Sequence, residues 1–105
     1  MIETEIKKEF IDKYKAVGDQ KFYNFILAFG VDKLSKLSNG DYKGTSPEVE
    51  FLEYYEKFLA LYRRGAGDEC LTLAKLFRRA AHKIYRVGLK KNLIERNNKF
   101  LNIVV

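Results

Sequence analysis

At steps of four and three residues, Ile2, Ile6, Phe10, Tyr14 and Val17 return to one side of a helix, and this periodicity dominates the chain. Spacing of that kind buries a stripe along each helix, so the expected fold class is all-α. Gly18 is a natural stop, and Asp19 is placed to cap a following helix through a backbone N–H. That second helix is expected to turn Phe22, Phe25, Ile26 and Phe29 inward, while Tyr23, beside Asn24, and Tyr42, in the polar loop that follows, are the rings expected outside. Gly30 should bend or break it before Leu34 and Leu37 continue the apolar side.

The stretch from Ser38 to Ser46 is the clearest loop, because its Gly and Asn accept positive φ while its Ser, Thr and Asp bond their own backbone. It closes on Ser46-Pro47-Glu48, the strongest helix start in the chain: a capping hydroxyl, a proline suited to the first turn, and an acid that complements the helix dipole. A helix is expected from there to about Arg64, with half of its circumference apolar (Phe51, Leu52, Tyr54, Tyr55, Phe58, Leu59, Leu61, Tyr62). Gly65 and Gly67 mark the next turn. Asp68 then caps a helix reaching about Asn92 and as far as Arg96. Residues 1–105 are thus expected to form a single compact bundle of four or five helices around a long antiparallel pair, about 47–64 and 69–92. The apolar, β-branched tail Phe100 to Val105 could close the core, form a short strand or meet another chain.

Composition removes several function classes. One cysteine, Cys70, excludes an internal disulfide framework, and one histidine, His82, excludes a His-pair metal motif. No nucleophile–base pair and no ligand cluster stands out, so the expectation is a protein without enzymatic activity, metal or cofactor. Cys70 falls in the middle of an apolar arc and reads as a small buried hydrophobe. The first nine residues mix charged and apolar side chains without the apolar core of a signal peptide. No apolar run approaches the roughly 20 residues that span a bilayer. A cytoplasmic location follows as the default.

Charge is where the chain becomes specific. It carries 20 Lys and Arg against 14 Asp and Glu, a formal net charge of +6. From Cys70 to Ile94 there are seven basic residues and no acid, so the rest of the chain sums to −1. On a helical wheel Lys75, Arg78, Arg79, His82, Lys83, Arg86 and Lys90 share an arc of about 140° along roughly 23 Å of helix. The opposite arc holds Leu73, Ala74, Phe77, Ala81, Ile84, Tyr85 and Gly88. A cationic ridge of that length suits a row of phosphates, each of which releases counterions when neutralised. The expected function is therefore a small accessory protein that binds nucleic acid, DNA or RNA, through these seven side chains, mainly at phosphate. Other outcomes stay open. The ridge could be neutralised by Glu48, Glu50, Glu53 and Glu56, or meet an acidic protein or anionic membrane surface; or the chain could be an interaction or self-assembly module that works through the aromatic side of the 47–64 helix and the tail Phe100 to Val105, a homo-oligomer included.

Overall fold

The structure is a computed structural model that describes residues 2–40 and 44–94, apart from the side chains of residues 2–7 and 38. Among the described residues there are three helices and no strand: α1 (Ile2–Ser38), α2 (Pro47–Arg63) and α3 (Asp68–Lys90). The all-α expectation stands, but four or five helices reduce to three. The tail Phe100–Val105 and Tyr42 lie outside the described residues.

The reduction comes from α1. Gly18 does leave helical geometry, with φ 82° and ψ 177°, a combination that suits glycine alone. The two pieces meet there without a loop, so one kinked element replaces two. Across the kink the Tyr14 hydroxyl bonds to the Asp19 carboxylate, and this bond, then burial, holds the Tyr14 phenol above its usual pKa.

Gly30 does the opposite of what its sequence context suggests. It stays helical and is buried, and a Cβ there would overlap the Ile84 side chain. Its missing side chain admits α3, and α1 rotates to suit. Phe22, Ile26, Gly30 and Leu34, four residues apart, form the inward line. Phe25 and Phe29, expected inside, are consequently 44% and 46% exposed. Tyr23, with its ring expected outside, is buried.

The core closes around Phe77 of α3. Its ring lies 5.0 Å from Phe10 and 5.9 Å from Phe22 of α1, and 5.2 Å from Phe51 and Tyr54 and 5.8 Å from Phe58 of α2. Most of these contacts are edge-to-face, the arrangement ring quadrupoles favour. The broad aromatic face of α2 is thus spent on two neighbours, with Phe51 and Phe58 buried and Tyr54 and Tyr55 half-buried.

Helix ends follow local chemistry. At the end of α2 Gly65, with φ 88°, lets its own N–H reach Tyr62 O and the Ala66 N–H reach Leu61 O. Asn92, with φ 57°, does the same for α3: its N–H bonds Leu89 O and the Leu93 N–H bonds Gly88 O. Both are Schellman turns, which occupy carbonyls that a helix end leaves open. The last regular residue of α3 is therefore Lys90, and the expected continuation to Asn92 is replaced by this turn. The expected side-chain caps also differ. The Ser46 hydroxyl donates to the Glu48 carboxylate and makes no cap bond, and Gly67, not Asp68, occupies the cap of α3.

Candidate nucleic-acid interface

α3 divides its circumference cleanly. Cys70, Leu73, Ala74, Leu76, Phe77, Ala80, Ala81, Ile84, Tyr85 and Gly88 are all buried against α1 and α2. On the other side Lys75, Arg79, Lys83, Arg86 and Lys90 are exposed, and Arg78 and His82 are half-buried. The asymmetry has a simple cause: unpaired cations are costly to desolvate, while their stems lie along apolar surface without penalty. His82 stands apart from the other six, because its Nε2 is out of contact with solvent. The residue is half-buried although its wheel position, about 40° inside the arc, is further from the apolar side than that of Arg78.

Two aromatic rings flank the ridge and fix its edges. The Arg79 guanidinium lies 4.4 Å from the centre of the Tyr23 ring on α1, and that of Arg78 lies 5.7 Å from Tyr55 on α2. Cation–π contacts of this kind contribute about 0.5–1 kcal/mol near a surface. Their larger effect here is directional, since each planar guanidinium is held ready for a bidentate partner. Sequence reasoning missed both tyrosines as supports. Their place beside the ridge depends on how three helices pack, which no local spacing encodes.

The acids expected as internal neutralisers are engaged elsewhere or face outward. Glu48 is buried and takes the Ser46 hydroxyl. Glu50 accepts from the Lys33 ammonium of α1 at 3.0 and 3.2 Å. Glu53 and Glu56 are exposed on the far side of α2. Among the described residues no carboxylate pairs with Lys75, Arg78, Arg79, Lys83, Arg86 or Lys90. Among the described residues the ridge is a set of cations without carboxylate partners.

Other candidate chemistry recedes. Cys70 is buried, and burial, followed by the Glu69 charge, pushes its thiol above the usual pKa, so the helix N-terminus does not activate it. Among the described residues no group of His, Cys, Asp and Glu is placed to hold a metal ion, and no helix is long and apolar enough to cross a membrane. No protein-family model matches the chain, and no curated protein or solved structure is significantly similar to it.

Proposed function

We propose that the protein is a small non-enzymatic accessory protein of the cytoplasm that binds nucleic acid through the α3 ridge, mainly by phosphate contacts. One observation carries this reading: six cations stand on one side of a regular helix, and among the described residues none is paired with a carboxylate. Lys75 and Lys90 are 15 residues apart, about 22 Å along the axis at 1.5 Å per residue. A nucleic-acid strand presents several phosphates over that distance, so the cations can be engaged together. Arg78, Arg79 and Arg86 supply bidentate contacts, and Lys75, Lys83 and Lys90 act as point charges. No base-reading element accompanies them, which makes the binding insensitive to sequence.

Fluorescence anisotropy with a labelled 20-base-pair duplex and a 20-nucleotide single strand tests this. With about six phosphates neutralised, log K against log salt should fall with a slope near −5 on duplex. Failure to bind either probe at 50 mM salt overturns the reading.

A second reading, a helical interaction or self-assembly module, is favoured by the exposure of Phe25 and Phe29 one turn apart on α1. Light scattering of a Phe25→Ser/Phe29→Ser variant separates the two. A drop in mass supports self-assembly, whereas unchanged mass with retained nucleic-acid binding leaves the ridge as the functional surface.

A further inference from the structure

Beside the ridge, α1 presents a face without charge. Going round α1 from Tyr23 away from the core, the side chains are Leu27, Gln20, Val31, Asn24, Ser35 and Ala28. Leu27 and Val31 are half-buried and the other four exposed. The Gln20 amide donates to the Asn24 carbonyl oxygen at 3.1 Å, which leaves the Asn24 amino group and the Gln20 carbonyl pointing outward for other partners. The two acids that follow Gly18 in α1 lie elsewhere: Asp32 pairs with Lys36, and Asp19 holds Tyr14.

This face runs level with the ridge. Phe22 meets Phe77, Tyr23 meets Arg79 and Gly30 meets Ile84, so a residue of α1 lies beside the one about 55 positions later in α3. Gln20 is therefore level with Lys75 and Ser35 with Lys90. The two surfaces match in length and run in the same direction. Gly30, with no side chain to hold Ile84 off, brings the two helices into direct contact.

We infer that the occupant is a double-stranded nucleic acid lying over α3 and α1 together, with one backbone on the cationic ridge and the other across Gln20, Asn24 and Ser35. This rests on the proposed nucleic-acid reading and extends it. Charge complementarity places one backbone on the ridge, and the uncharged face that runs level with it leaves room for the second. Its two backbones border a minor groove about 6 Å wide, a separation of the same order as two packed helices. The second row of phosphates needs a surface that offers hydrogen bonds and no carboxylate, and this face of α1 provides both. A single strand would use the ridge alone, and it would also want rings to stack on. Near the ridge those are occupied: Tyr23 is buried beneath Arg79 and Tyr55 is half-buried beside Arg78. The exposed Phe29 stands on the α2 side of α1, under the Lys33 that bonds Glu50.

The test places charge on the α1 face and reads both probes at 50 mM salt. Gln20→Glu/Asn24→Glu should weaken duplex binding at least tenfold and single-strand binding less than twofold, with an unchanged helical spectrum. Gln20→Lys/Asn24→Lys should steepen the duplex salt slope by about one to two and leave the single-strand slope alone. Equal losses on both probes, or no loss on duplex, overturn the two-helix footprint while the ridge reading survives. Absence of wild-type binding to either probe overturns both.

Discussion

Basic side chains serve opposite ends on α1, where all are lysines, and on α3. On α1, Lys33 is about four-fifths buried and tied to Glu50, Lys36 pairs with Asp32, and Lys13 and Lys33 lie over the Phe25 and Phe29 rings. On α3 lysines and arginines stand in a row, and among the described residues none has a carboxylate partner. The difference is one of neighbours. Lys33 and Lys36 of α1 have a carboxylate within reach and Lys13 a ring, whereas among the described residues the lysines and arginines from Lys75 to Lys90 lie on a segment without acids and have no carboxylate partner. Total charge says nothing of this; its distribution does.

Four measurements would break or sharpen that contrast, taken from the largest effect down. Charge reversal in Arg79→Glu/Arg86→Glu should lower nucleic-acid affinity at least 100-fold, about 2.7 kcal/mol, while stability falls by no more than the about 0.5–1 kcal/mol of the Arg79–Tyr23 contact. A comparable fall in melting temperature would instead make the ridge part of the scaffold. Next, Gly30→Val should destabilise the fold by about 2–3 kcal/mol in urea titration, because the added methyls must displace Ile84. An unaltered midpoint would show that the two helices are not held at close approach. Lys33→Met should cost about 1 kcal/mol of stability, since the Glu50 carboxylate loses its partner, yet leave affinity within twofold. If affinity drops tenfold, the distinction between structural and available cations fails. The smallest change is Lys75→Gln, which should reduce the duplex salt slope by about 0.9 and affinity by a few-fold without touching stability.

Much of the molecule was legible in its sequence, and the failures share one cause. Ser46-Pro47-Glu48 and Gly65-Ala66-Gly67 delimit α2 as observed, because turn chemistry is local. The two sides of α3 were legible for the same reason: seven basic residues against an apolar arc leave one orientation that avoids burying unpaired charge. Phe25, Phe29 and Tyr23 were read the wrong way round because a wheel gives relative angles and not the direction of the core. That direction was set by Gly30, whose apparent meaning was a break and whose actual use is contact with Ile84. The tyrosines under Arg78 and Arg79 depended on the same packing and were equally out of reach.

Gly18 also partitions how the chain opens. N-terminal to it, Phe10, Ile11, Tyr14 and Val17 are only half-buried, while beyond it Phe22, Ile26 and Leu34 lose essentially all contact with water. With no continuous helix to transmit protection across that residue, the leading segment is expected to exchange its amide hydrogens before residues 19–37, which are held by the core. Such fraying uncovers one edge of the Phe77 ring, where Phe10 sits, and leaves Tyr23, Gly30 and the helix they support in place. The cationic ridge and the segment before Gly18 are thus separate cooperative units, joined by a glycine.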